Sequence, residues 1–309
     1  MPPARPAPGP GRRIALLVNP VAGRSRGTGL AEATARRLRD RGAEVRLLAA
    51  PDAGAAAARA RECVAAGRTE VLAVVGGDGM VHLALQALAG TGTALGVIPA
   101  GTGNDFARAL GIPRRDPVAA ADLLLDGAVR TLDLGRVDGA PGPAGSGRWF
   151  GTVLTSGFDT LVSERANRMR WPRGRMRYNL AILAELGLLR PLPFTLDVDG
   201  VRHELEAALI AVGNTASYGG GMRICPGAAA DDGLLGITVV PGVGRAELLR
   251  VFPRVYRGTH VEHPRVQTYE ARRVRLHTPS MRAFADGERV GPLPLAAEAV
   301  PGALHVVTP

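Results

Sequence analysis

The run Val71-Leu72-Ala73-Val74-Val75 breaks directly into Gly76-Gly77-Asp78-Gly79, and this junction constrains the fold more than any other stretch. A short β-branched apolar run bounded by glycine reads as a buried strand ending in a tight turn. The glycines permit positive φ and let backbone N–H groups approach a ligand closely. Asp78 adds a carboxylate where a metal or a hydroxyl can meet it. Turns at the carboxyl ends of strands are where open α/β sheets bind phosphates. An ordinary strand–helix turn reads the same way, so the junction needs support from the rest of the chain.

That support comes from alternation. Ile14–Val18 reads as a first strand, followed by Asn19-Pro20-Val21-Ala22-Gly23-Arg24, and residues 29–41 have helical apolar spacing with arginines outward. Glu44–Leu48 reads as a second strand, Ala55–Ala66 as an alanine-rich helix and Val71–Val75 as the third strand, with Val81–Leu88 opening a helix. Leu95–Ile98 reads as a fourth strand, ending in Pro99-Ala-Gly-Thr-Gly-Asn-Asp-Phe106 with a helix to about Leu110. Strands alternating with helices predict an open, mostly parallel α/β sheet over residues 14–131. Its glycine-bearing loops at 19–24, 76–79 and 101–105 then share one edge. Each alone is a plain turn; together they read as a nucleotide phosphate site.

The pattern changes near Leu132. Arg130–Val137, Phe150–Thr155, Phe194–Val198, His203–Val212, Leu235–Val240 and Arg273–His277 are strand-like runs separated by Gly, Pro and Asp turns. Arg177–Leu189 is the one helical stretch read in this half, and Ala140–Gly147 is a Gly/Pro-rich loop. Residues 132–309 are thus expected to form a mainly β second domain, whose last strand can return to the first. Tyr218-Gly219-Gly220-Gly221-Met222 permits close approach of a backbone or ligand, or is a hairpin loop. Asp231-Asp232-Gly233 before Leu235–Val240, and Phe284-Ala285-Asp286-Gly287-Glu288, read in isolation as turns.

Composition removes several chemistries. All 38 residues in the Lys+Arg count are arginine. Without lysine there is no Walker A loop and no Schiff-base chemistry. Arginine suits phosphate through bidentate contacts, and the net charge of +10 favours anionic partners, lipid surface or nucleic acid. With 4% aromatic residues, base-stacking platforms are not expected, which argues against nucleic acid. The two cysteines, Cys63 and Cys225, have no paired spacing and read as reduced and structural in a cytosolic protein. The six histidines form no metal-ligand pattern, and His260 and His263 beside Pro264 read as a loop pair. Met1–Arg13 lacks the apolar core of a signal peptide and reads as a disordered leader. No apolar run reaches the ~18 residues of a membrane span.

The ordered set Asn-Pro-x-x-Gly-Arg (19–24), Gly-Gly-Asp-Gly (76–79), Pro-x-Gly-Thr-x-Asn-Asp-Phe-Ala-Arg (99–108), Gly-Phe-Asp (157–159), Tyr-Gly-Gly-Gly-Met (218–222), Asp-Gly-Leu-Leu (232–235) and Asp-Gly-Glu (286–288) resembles the diacylglycerol kinase catalytic-domain family, which includes bacterial diacylglycerol kinases and the related sphingosine and ceramide kinases. The match runs from about residue 14 to the end. The resemblance implies an α/β nucleotide-binding domain, a β-sandwich domain and a cleft between them. It implies ATP held by Asn19, Pro20, Val21, Ala22, Gly23 and Arg24, by Gly76, Gly77, Asp78, Gly79, Met80, Val81 and His82, and by Thr102 with Asn104. It implies a magnesium–water network on Asp78 reaching Asp105 and Asp133, and a structural magnesium on Asp232 with backbone carbonyls at Ala229 and Leu234. Asp286 and Glu288 supply the general base, with Glu288 preferred and Asp286 not separable from it by sequence. A homodimer is implied by the resemblance alone.

Phosphoryl transfer needs positioning, charge neutralisation and an oriented nucleophile, which these residue types provide. The expected activity is ATP- and magnesium-dependent phosphorylation of a lipid hydroxyl, with diacylglycerol the leading acceptor. Glycerolipid, sphingoid and polyprenyl-type acceptors stay open. Two positions depart from the family: Met80 replaces the usual threonine, and Gly236 stands where an aspartate is often found. They favour a second reading, a non-catalytic lipid-binding or regulatory member; a third is NAD kinase, which shares the Gly-Gly-Asp-Gly turn. Arg165–Arg177 interleaves arginine with Met169, Trp171 and Met176, as a solvated basic face or as a patch for anionic membrane. The expected location is cytoplasmic, peripheral at the inner membrane face.

Overall fold

The structure, a computed structural model, describes residues 11–18, 26–138, 147–157, 191–242, 245–279 and 281–309, with isolated positions 162, 165, 169, 180 and 184. The Asn19–Arg24 loop, residues 139–146, and most of the 165–177 and 177–189 stretches lie outside the described residues. Residues 11–13, read from sequence as part of a leader, are ordered in the first unit. Gly11 N–H donates to Gly42 O, Arg12 is buried on the Leu124 carbonyl, and Arg13 opens the first strand. The chain divides into two compact units, one running to Leu134 and resuming at Pro301–Pro309, the other Gly135–Val300.

The first unit begins β1 (Arg13–Val18), α1 (Arg26–Asp40), β2 (Glu44–Ala49), α2 (Ala53–Ala65), β3 (Val71–Gly76), α3 (Asp78–Leu88) and β4 (Ala94–Pro99). It continues with α4 (Asp105–Ala109), α5 (Pro117–Asp126) and the first part of β5 (Ala128–Asp138). The spatial order is β2-β1-β3-β4, with parallel pairs throughout, and the far end of β16 (Leu295–Thr308) then pairs parallel to β4 through Val306 and Leu95. Both faces of β1 and β3 are buried, as continuous apolar runs in a covered parallel sheet require. Ile14, Leu16, Val71, Ala73 and Val75 pack under α1 and α5, through Ala35, Leu38, Ala121 and Leu124. Helix α5 was not anticipated, although Asp116 caps it through the N–H groups of Val118 and Ala119 and Pro117 fills its first turn.

The second unit is two antiparallel sheets. Its strands are β6 (Arg148–Phe150), β7 (Val153–Gly157), β8 (Leu192–Val198), β9 (Val201–Ala207), β10 (Leu209–Gly213), β11 (Leu235–Val240), β12 (Gln267–Ala271), β13 (Arg273–His277), β14 (Arg282–Ala285) and β15 (Glu288–Pro292). One sheet has the order β12-β11-β10-β7-β14-β15; the other joins the near end of β16 to β13, β8 and β9, with β5 and β6 beside it. Phe150, Phe194 and Leu196 of the latter meet Leu154, Ile210, Val212 and Ile237 of the former in one core. This is a sandwich, as alternating inward residues on both sheets dictate. Two expected single runs are broken: Phe150–Thr155 by a bend at Gly151-Thr152, and His203–Val212 at Ala208. Helix α6 (Arg245–Val255), with Pro253 inside it, interrupts the β pattern.

Candidate functional site

In the first unit β1, β3 and β4 end at one sheet edge, since Val18 pairs with Val75 and Gly76 with Pro99. The turns after β3 and β4 touch there. Ala100 N–H donates to Gly76 O at 2.8 Å. The two backbones pack so closely that a Cβ on Gly101 would stand 2.4 Å from Gly77 Cα, and one on Gly77 would stand 2.9 Å from Gly101 Cα. Backbone cannot yield as a flexible side chain does. Gly101→Ala is therefore expected to destabilise the protein by about 2–3 kcal/mol, read as a shift in denaturant midpoint; an unchanged midpoint counts against this packing.

Asn104 holds the second turn. Its left-handed backbone (φ 50°) starts α4, its Oδ1 accepts from Gly101 N–H at 3.0 Å, and its Nδ2 donates to Gly101 O at 2.8 Å. Asp78, the first residue of α3, reaches across: its Oδ1 accepts from the N–H of Asp105 at 2.7 Å and of Phe106 at 3.3 Å. Burial pushes the Asp78 carboxyl above the ordinary carboxylate range, the Asp105 charge adds to the rise, and the N–H groups of Phe106, Asp105 and Asn104 oppose it. Asp105 is buried, with Arg108 Nε at 3.6 Å. Two carboxylates thus share a desolvated corner at the carboxyl end of a parallel sheet, an arrangement that welcomes a cation.

The remaining sequence-predicted residues of this unit are dispersed. Thr102 is exposed, beside this corner in sequence. Met80, Val81 and His82 are buried in α3, and Met80 folds over Gly76, where an added Cβ would come 2.6 Å from its Cγ. Methionine at this position therefore packs against the end of β3. Asp133 is buried on β5, accepting from Gly302 N–H at 2.8 Å. Among the described residues no three His, Cys, Asp or Glu side chains gather to hold a metal, so Asp133 does not complete a three-carboxylate cluster with Asp78 and Asp105.

In the second unit Asp286 and Gly287 form the two-residue turn of the β14–β15 hairpin, with φ of 53° and 83°. Positive φ at both central residues is what a tight hairpin of this hand needs. The Asp286 carboxylate accepts three hydrogen bonds: from Gly151 N–H at 3.0 Å, Thr152 N–H at 2.7 Å and Thr152 Oγ1 at 2.6 Å. Glu288, the first residue of β15, is exposed. The turn reading and a functional reading of Asp-Gly-Glu are therefore compatible. Asp232 is exposed, its Oδ1 accepting from Leu234 N–H at 2.9 Å, while Ala229 and Leu234 are half-buried nearby in sequence. At Gly236 a Cβ would meet Ala228 Cβ at 2.9 Å, so this chain has no room there for a larger side chain. Thr152 and Asn214, which tie these segments together, escaped sequence reasoning because their partners are distant in the chain.

Residues 13–137 match the diacylglycerol kinase catalytic domain, and residues 152–308 match the YegS C-terminal NAD kinase beta sandwich-like domain. A diacylglycerol kinase of Mycobacterium tuberculosis is 47% identical over 298 residues, covering 96% of this chain and 95% of that protein. A diacylglycerol kinase of Bacillus subtilis is 31% identical over 302 residues, covering 96% and 97%. The crystal structure of a diacylglycerol kinase from Bacillus anthracis superposes with a TM-score of 0.70 at 22% identity, covering 96% of this chain and 97% of that one, which is a likeness of fold.

Proposed function

Because this chain belongs to the diacylglycerol kinase family, we propose that it transfers the γ-phosphoryl group of ATP to a lipid hydroxyl, with diacylglycerol as acceptor and phosphatidic acid as product. The observation that carries this reading is the pair of half-buried Asp78 and buried Asp105, packed where the turns after β3 and β4 meet. The glycines of those turns let the two backbones pack directly on one another, and Thr102 and Asn104 stand at the same edge. The Asn19–Arg24 segment follows β1 at that edge in sequence and joins the nucleotide site in this reading.

Magnesium fits the donor set. It binds through one or two carboxylates plus substrate phosphates, so Asp78 and Asp105 suffice without Asp133. When bound, magnesium neutralises phosphate charge during transfer. Asp232, with the carbonyls of Ala229 and Leu234, offers hard oxygens suited to a second, structural magnesium. Asp286 spends its oxygens on three donors of the 151–152 bend and holds the turn, and Glu288 takes the proton of the acceptor hydroxyl as its oxygen bonds the γ-phosphorus and the bond to the β-phosphate oxygen breaks, releasing ADP.

Among the described residues no helix is long and apolar enough to cross a membrane. The enzyme would then meet its lipid at a cytoplasmic membrane face, through the arginines of 165–177 and an anionic bilayer. Replacing the arginines of this stretch by glutamine is expected to weaken sedimentation with anionic vesicles, by about 1 kcal/mol per contacting arginine; equal binding by the variant discards the patch.

The deciding experiment is transfer of labelled γ-phosphate to a lipid panel in mixed micelles, with magnesium or with chelator, and with NAD as a separate acceptor. Magnesium-dependent labelling of diacylglycerol supports the reading. Labelling of NAD alone, or of nothing while ATP binds, overturns it.

A further inference from the structure

The bend Gly151-Thr152 is fastened on two sides. On one side lie the three hydrogen bonds to Asp286, and Asp286 N–H donates to Val153 O at 3.1 Å. On the other side Thr152 O accepts from the N–H of Asn214 at 2.8 Å and of Thr215 at 3.2 Å, and Asn214 Nδ2 donates to Gly151 O at 3.1 Å. Thr152 is 4% exposed and Asn214 1%. From Asn214 the chain runs into the glycine loop, where Tyr218 N–H donates to Met222 O and Gly219, Gly220 and Gly221 all have positive φ. The hairpin turn and the segment that enters the triple-glycine loop are thus fastened to the same buried bend.

We propose that Thr152 is a positioning residue for phosphoryl transfer, resting on the lipid kinase reading above. It ties the turn that carries Glu288 to the Asn214–Thr215 segment, so that the base keeps its place. A small displacement of a reacting group costs rate without changing the binding of a remote substrate. The device acts on the acceptor side of the reaction and leaves the nucleotide turns alone.

Thr152→Val removes the hydroxyl and keeps the shape; Thr152→Ser keeps the hydroxyl. With diacylglycerol in mixed micelles, Thr152→Val is expected to lower kcat about 10- to 100-fold, with the ATP dissociation constant unchanged, and Thr152→Ser to stay near wild type. Asn214→Ala, cutting the other side of the bend, should give the same split. The proposal is overturned if Thr152→Val turns over like an active wild type, if Thr152→Ser falls as far as Thr152→Val, or if ATP affinity falls in step with kcat. Should Thr152→Val lack a cooperative melt, Asn214→Ala decides by the same criteria. A wild-type protein that phosphorylates no lipid defeats the kinase reading itself, which is a different result from a variant that matches an active wild type.

Discussion

Glu288→Gln is expected to lower kcat for lipid phosphorylation by about 1,000-fold, the middle of the range for loss of a positioned general base, while the melting temperature and ATP affinity stay at wild-type values. Glu288 is exposed at the start of β15, so an isosteric amide disturbs little packing. Asp286 is the contrasting case. Its carboxylate collects Gly151 and Thr152 donors, so Asp286→Ala should cost stability as well as rate, leaving buried N–H groups unsatisfied. Thermal melts and micelle kinetics on both variants separate the roles. If Glu288→Gln retains activity and Asp286→Asn abolishes it without loss of stability, the assignments exchange.

Asp78→Asn is expected to abolish turnover and yet make the metal-free protein more stable. Asparagine keeps an oxygen for the N–H groups of Asp105 and Phe106 and removes a charge that burial and Asp105 both disfavour. Relief of a half-buried, repelled carboxylate by about 1 kcal/mol would raise the melting temperature at pH 7 by roughly 2 °C. The pH dependence has a definite sign. The folded chain holds the Asp78 proton more tightly than the unfolded chain, so the wild type loses stability as pH rises from the ordinary aspartate range through the raised folded value. The advantage of Asp78→Asn should grow over that window and vanish below it, where Asp78 is protonated. Magnesium with ATP should stabilise the wild type and leave the variant unmoved. A variant that melts lower than wild type at every pH would show that the Asp78 charge is well compensated in the fold.

The parts of the site legible in sequence were those written locally. Val71–Val75 running into Gly76-Gly77-Asp78-Gly79 states strand, turn and helix start within one short segment, and strand–helix alternation then brings the turns after β3 and β4 to one edge. Asp286-Gly287 likewise carries its turn chemistry in two adjacent residues. What stayed hidden depends on partners far along the chain. Thr152 finds Asp286, Asp133 finds Gly302, and Gly236 meets Ala228, and no periodicity announces such meetings. Helix α5 had a readable signal in Asp116-Pro117, a capping residue followed by proline in the first turn, which the sequence reading left unused. Helix α6 had none, because Pro253 inside it argues for a break.

Strand β16 carries the chain back from the second unit to the first, where Val306 lies beside Leu95. The first unit is therefore discontinuous: a whole sandwich is inserted between its fifth strand and its closing one. During synthesis β4 is made early and waits with an open edge until the polypeptide has passed through some two hundred intervening residues. An unpaired parallel strand edge is a template for wrong partners. The parallel sheet of the first unit is therefore closed only after the whole second unit has been made.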